Sequence, residues 1–192
     1  MTEENKPEDY FGFNHIPQLE QTFKTLSDGE IEKYLNEIAQ AEVQSVVSHD
    51  GFGVPQLNVS LPHGCRVYGV AGIKFVSGYE EDTVEYDPKG MWLEEIYVPS
   101  RFWGNGIAKR LVNGFLEGVR EQFPSIDHIS GKTPNVHAMR SIYSSAVNNS
   151  KSMSIFSSAK NEQLMEYING SKRDEFIPGR PFGDIQFKID LK

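Results

Sequence analysis

At 192 residues the chain has the length of one ordinary domain, long enough to bury a core without disulfide or metal staples and too short for two full domains. Hydrophobic residues make up 38% and charged residues 24%, with a mean hydropathy of -0.47, which excludes disordered, collagen-like and fibrous chains. A formal net charge of -8 repels phosphate backbones and favours cationic ligands, so neither duplex nucleic acid nor a membrane is an expected partner. No stretch approaches the roughly 18 consecutive apolar residues a membrane helix needs. The opening Met1 to Asp9 is acidic rather than basic and apolar, so a cytoplasmic location is expected. The one cysteine, Cys65, excludes an intramolecular disulfide and a multi-thiolate zinc site, and reads first as a buried thiol. His15, His49, His63, His128 and His137 lack metal-ligand spacing, so no metal is expected.

In chain order, residues 1–16 read as a tail or irregular lead-in, and residues 17–192 as a single domain. A short helix is expected over Gln18 to Leu26. From Asp28 the apolar positions Ile31, Leu35, Ile38, Val43, Val46 and Val47 recur near helical spacing and predict an amphipathic helix to about His49, with Ser27 and Asp28 as candidate caps. Asp50 to Gly64 reads as loop around one short strand, Leu57 to Leu61. Arg66 to Val76, Thr83 to Tyr86 and Met91 to Val98 are three meander strands. After Gly104-Asn105-Gly106, Ile107, Leu111, Val112, Phe115, Leu116 and Val119 form one helical stripe that ends before Pro124. A strand over Ile126 to Ile129, a helix from Asn135 to about Ser145, a strand over Ser152 to Phe156 and a helix over Asn161 to Ile168 follow. Ile185, Phe187, Ile189 and Leu191 then alternate with polar residues in a final strand. The fold class is α/β of the α+β type, a mixed, mostly antiparallel sheet flanked by helices. The helix within Asn148 to Pro181 fits a lid, a dimer contact or a filler equally well.

The chemistry concentrates in Leu93-Glu-Glu-Ile-Tyr-Val-Pro-Ser-Arg-Phe-Trp-Gly-Asn-Gly-Ile-Ala-Lys-Arg-Leu111, a strand, a turn with two glycines, and directly a helix. Such a junction leaves the first helical N-H groups unpaired with the positive end of the helix dipole behind them, a place for a phosphate. Gly104 and Gly106 remove the Cβ atoms that would keep a pyrophosphate from the amides. The spacing is neither a Walker loop nor a three-glycine dinucleotide fingerprint.

The stretch resembles motif A of the GNAT N-acetyltransferase superfamily, where a strand leads into a pyrophosphate loop of the form Arg/Gln-x-x-Gly-x-Gly/Ala. With Val98 and Leu111 as anchors, Trp103 falls on the Arg/Gln position, Gly106 on the Gly and Ala108 on the Gly/Ala; Arg101-x-x-Gly104-x-Gly106 is the second register. The resemblance covers Arg66 to Ser145. It implies a GNAT-like fold and acetyl transfer from acetyl-coenzyme A to an amine by direct attack, the cofactor touching Ile96, Val98, Trp103, Gly104, Asn105, Gly106, Ile107, Ala108 and Asn135. It further implies a strand-borne backbone N-H near Ile96 to Val98 that stabilises the developing oxyanion where the strand splays from its neighbour. The family pattern Asn-x-x-Ala-x-x-x-Tyr, whose tyrosine protonates the departing thiolate, matches at Asn135 and Ala138. It then meets Ile142, with Tyr143 one residue late, so Tyr143 is either the acid or a packing residue.

An aliphatic amine with pKa near 10.4 is the free nucleophile in only about one molecule in 2,500 at pH 7, so the reaction needs a base. The Leu-Glu-Glu-Ile-Tyr-Val run resembles the acidic strand of the diamine acetyltransferases, which implies Glu94 as that base. As neighbours on a strand, Glu94 and Glu95 are expected to face opposite ways, only one toward the acceptor. Glu80, Glu81, Asp82, Glu85 and Asp87 either rim the acceptor cleft or form a hydrated hairpin tip, and His137 is a second candidate base. The implied acceptor is a primary amine, on a small cationic molecule, a protein lysine or a protein N-terminus. A homodimer is compatible with all of this, and the rival reading is a catalytically inactive GNAT-fold module that binds coenzyme A or a protein partner.

Overall fold

The computed structural model describes residues 15–76, 83–133, 135–157, 161–168 and 185–191. It opens with α1 (His15–Thr25), which starts three residues before the expected Gln18, and α2 (Asp28–Gln40). Ser27 and Glu30 form a reciprocal capping box at the start of α2: the Ser27 side chain accepts from the Glu30 N-H, and the Glu30 carboxylate accepts from the Ser27 N-H. The Ser27 hydroxyl also donates to that carboxylate at 2.6 Å, and this bond first, then the one from the Ser27 N-H, holds the exposed Glu30 carboxyl below the usual carboxylate range.

The expected long helix ends at Gln40, and Gln44–His49 is an edge strand, β1. The apolar spacing that suggested a continuing helix is overridden by the β-branched Val43, Val46 and Val47 and by six residues of antiparallel register with β2 (Pro55–Ser60). Val46 and Val47 are accordingly exposed rather than buried on a helical stripe.

β3 (Arg66–Val76) pairs antiparallel with β4 (Thr83–Tyr97), into which the two separately expected strands merge, and the register breaks where Ala71/Ile73 meet Met91/Tyr86. After β4 come a 3-10 turn (Ser100–Phe102), α3 (Ile107–Gln122), β5 (His128–Thr133), α4 (Val136–Asn149), β6 (Ser152–Ser157), α5 (Asn161–Ile168) and β7 (Ile185–Asp190). β5 begins two residues later than expected because the Ile126 N-H is spent on a turn to the Phe123 carbonyl. Among the described residues seven strands form one sheet in the order β1-β2-β3-β4-β5-β7-β6, antiparallel throughout except between β4 and β5. The expected mixed, mostly antiparallel sheet flanked by helices is therefore what the chain forms.

Leu57, Val59, Val67, Met91, Leu93, Ile129 and Ile189 form the buried side of the sheet, packed with Leu111, Phe115, Val119, Met139 and Ile142 of α3 and α4. A Cβ on Gly118 would stand 2.7 Å from Ser45 Oγ and 3.1 Å from a Leu57 methyl, so only glycine lets α3 lie this close to the first two strands. α5 is a core element: Leu164, Tyr167 and Ile168 are buried, and the Arg140 guanidinium donates to the Tyr167 carbonyl at 3.0 and 2.7 Å.

Cys65 is fully buried, and burial pushes its thiol up to about 12 from an ordinary value of 9.0. Tyr68 is also raised to about 12, chiefly by burial and then by the charges of Glu94 and Glu95. Below pH 9 the thiol is neutral in both folded and unfolded chains; above it the unfolded chain ionises first, so stability falls progressively between about pH 9 and 12. Urea midpoints measured from pH 8 to 11 are expected to drop, and to drop less in Cys65→Ala. A pH-independent midpoint would contradict the burial argument.

Candidate functional site

Two parallel strands that share a ladder for their whole length leave no room between them. β4 and β5 share it only from Gly90↔His128 to Leu93↔Gly131; β4 then runs on to Tyr97 beside β3, and β5 to Thr133 beside β7. The two strands part at their carboxyl ends, where α3 and α4 begin, the location in a sheet where strand edges and helix N-termini both face one crevice.

The α3 side of this crevice is built by a short chain of contacts. Glu20 on α1 accepts from the Ser100 N-H at 3.0 Å, the Ser100 hydroxyl at 2.7 Å and the Tyr97 hydroxyl at 3.2 Å, pinning the turn that follows β4. Arg101 donates to Asp28 at 2.6 Å and to the Leu26 carbonyl, so its guanidinium is committed to the start of α2 and faces away from the loop. This geometry favours the register with Trp103 at the Arg/Gln position over the one with Arg101 there. Trp103 is mostly exposed, and its indole N-H donates to the Val98 carbonyl at 2.7 Å, which folds the loop back on the strand end. Asn105 donates from its side chain to the Phe102 and Trp103 carbonyls.

Gly104 and Gly106 have φ of 84° and 73°, and a Cβ on either would meet nothing within 4 Å among the described residues, so none of these covers the loop surface there. Gly106 is the N-cap of α3, and no side chain caps that terminus. The first intrahelical bond runs from the Arg110 N-H to the Gly106 carbonyl, leaving the Ile107, Ala108 and Lys109 amides without an intrahelical partner at the positive end of a 16-residue helix. A glycine loop whose following amides have no partner among the described residues fits a diphosphate in charge and donor set.

On β4 the ladder pairs Tyr68 with Glu95 and Gly69 with Leu93, so Glu94 is an extra residue in a β-bulge. The bulge overturns the expectation that the two glutamates face opposite ways. Both charges bear on the Tyr68 hydroxyl, which lies across from Glu95. Their partners differ: the Arg66 Nε donates to Glu95 at 2.6 Å, whereas the exposed Glu94 carboxylate accepts from the Trp92 indole N-H. Trp92 also borders a depression of about 300 Å³ that includes Asp87, His128, Ser130 and Lys188.

Among the remaining expected residues, Asn135 is the N-cap of α4, its side-chain oxygen accepting from the His137 and Ala138 amides. His137 is exposed on the first turn. Ile142 is buried, and Tyr143 is half-buried beside it against the core, its hydroxyl without a hydrogen-bond partner among the described residues. Glu80, Glu81 and Asp82 lie outside the described residues; Glu85 pairs with Lys74 and Asp87 with His128, each at 3.2 Å. Trp92, Arg66, Tyr68 and Glu20 were not singled out from the sequence. Trp92 was accessible to it, since residues two apart on a strand share a face; the others depend on pairings between distant segments.

Residues 57–143, from β2 to Tyr143, match the acetyltransferase (GNAT) family. No curated protein matches the chain. A solved structure, that of a putative acetyltransferase from Agrobacterium tumefaciens, aligns over 100% of this chain and 97% of its own at 10% identity, with a TM-score of 0.35, too low to inform fold or function.

Proposed function

We propose, from the match of residues 57–143 to the acetyltransferase (GNAT) family, that the protein transfers the acetyl group of acetyl-coenzyme A to a primary amine by direct attack. The observation that carries the proposal is the combination of an uncapped α3 N-terminus following the end of β4, where the β4–β5 ladder has stopped, with a bulge on β4 that presents a carboxylate. Acetyl-coenzyme A supplies an activated thioester. The amides of Ile107, Ala108 and Lys109 and the Gly104 to Gly106 backbone bind its diphosphate, and the edge of β4 from Ile96 to Val98 lies along its thiol arm. Glu94 takes one proton from the acceptor ammonium, the freed nitrogen bonds to the acetyl carbon, and the carbon-sulfur bond breaks. The Tyr143 hydroxyl gives a proton to the departing sulfur and is restored by the second proton, which the nitrogen loses as it becomes an amide.

The acceptor is a cationic amine, small or on a protein, because the face beside the exposed Glu94 carboxylate also carries the Tyr68 and Trp92 rings, which attract an ammonium group. The acidic composition and lone buried thiol suit a cytoplasmic setting. Calorimetric titration with coenzyme A, followed by a free-thiol assay against diamines, polyamines and lysine peptides, tests the reading. Binding in the micromolar range with thiol release dependent on one amine class is expected. Absence of coenzyme binding would overturn it, as would binding with no release from any amine.

A further inference from the structure

A base has to be held as well as present. Glu94 projects from a bulge into solvent, where an unheld side chain would sample many rotamers, and proton transfer requires the carboxylate within about 2.6–3.2 Å of the acceptor nitrogen. Its neighbour Glu95 is committed elsewhere, since that side chain is only 9% exposed and is held by Arg66, whose guanidinium lies 5.9 Å from the Tyr97 ring centre. Withdrawing Glu95 would strand that cation.

From this arrangement the geometry points to Trp92 as a positioning residue for the base, an inference that rests on the reading of Glu94 above. Trp92 lies two residues before Glu94 and pairs with Val70 on one side and Ser130 on the other. It is half-buried, with one flank forming the wall of the depression near His128 and Ser130, so packing fixes where its single N-H points. That N-H donates to Glu94 Oε2. A donor fixed by the sheet holds one carboxylate oxygen and leaves the other to face the crevice. Trp92 touches neither reacting atom; it acts through Glu94.

Trp92→Phe keeps an aromatic ring in the wall and deletes the donor together with the pyrrole part of the indole. The expected result is a fall in kcat of about tenfold with the acceptor KM within about twofold, because orientation of the base is lost while the binding surface is kept. In a Glu94→Gln background the same substitution should cost nothing further, since an amide is no base to orient. A readout independent of turnover accompanies this: the chain has two tryptophans, so a nitrogen-15 spectrum shows two indole N-H signals, Trp103→Phe identifies one, and Glu94→Gln should move the other alone. Coenzyme A affinity checks that Trp92→Phe is folded. Unchanged kcat in Trp92→Phe, an equal loss in both backgrounds, or an unmoved Trp92 indole signal would each overturn the inference. A slow Glu94→Gln beside a full-rate Trp92→Phe removes only Trp92's role, whereas full turnover of Glu94→Gln at every pH removes the base itself.

Discussion

Gly106→Glu is expected to weaken coenzyme A binding at least 100-fold while the protein stays folded. Gly106 is the N-cap of α3 with φ of 73°, and an added Cβ would project into open space, so the side chain lies where the diphosphate would. A carboxylate there occupies the positive end of the helix dipole, competes for the free amides and repels the ligand's own charges. The backbone cost is smaller, about 1–2 kcal/mol for a side chain in the left-handed region. Gly106→Asn separates the two effects, since asparagine tolerates that region and adds no charge; it should bind within about tenfold of the native protein. Calorimetry on the three proteins, with thermal melts alongside, reads both. Native-like affinity in Gly106→Glu would mean that the cofactor lies elsewhere.

This junction was legible in the sequence because its physics is local. A strand, two glycines and an apolar helical stripe specify an exposed helix start without reference to any other part of the chain. The β1 segment was illegible for the opposite reason: Val43, Val46 and Val47 fit a helical stripe as well as a strand, and pairing with Pro55–Ser60 decides between them. Glu94 and Glu95 are a similar case. Alternation along an isolated strand puts them on opposite faces, but the slip between Tyr68/Glu95 and Gly69/Leu93 is a property of two strands together. The parting of β4 from β5 likewise follows from where their shared ladder stops, and the Glu20 clamp on Ser100 joins residues 80 apart.

Glu94→Gln is expected to lower kcat/KM about 100-fold or more at pH 7, the range a positioned base contributes. Near neutrality almost all the acceptor is protonated, so an enzyme without a base must wait for the roughly one molecule in 2,500 already free. That fraction rises tenfold per pH unit up to the amine's own pKa, so the variant's rate should climb with slope near one and the gap to the native enzyme should close toward pH 10. The upper end of this comparison is bounded by stability, since Cys65, raised from 9.0 to about 12, makes the fold weaker as pH climbs above about 9, and Tyr68, raised from 10.0 to about 12, adds to that above about pH 10. Initial rates from pH 6 to 9.5 are therefore the measurement. Glu95→Gln is the control that tells the two carboxylates apart. It strips Arg66 of its 2.6 Å partner and should cost about 1–3 kcal/mol of stability, yet leave the shape of the pH profile unchanged. If Glu95→Gln rather than Glu94→Gln straightened the profile, the proton would leave through the ion-paired carboxylate, and Arg66 would have to release it during each turnover.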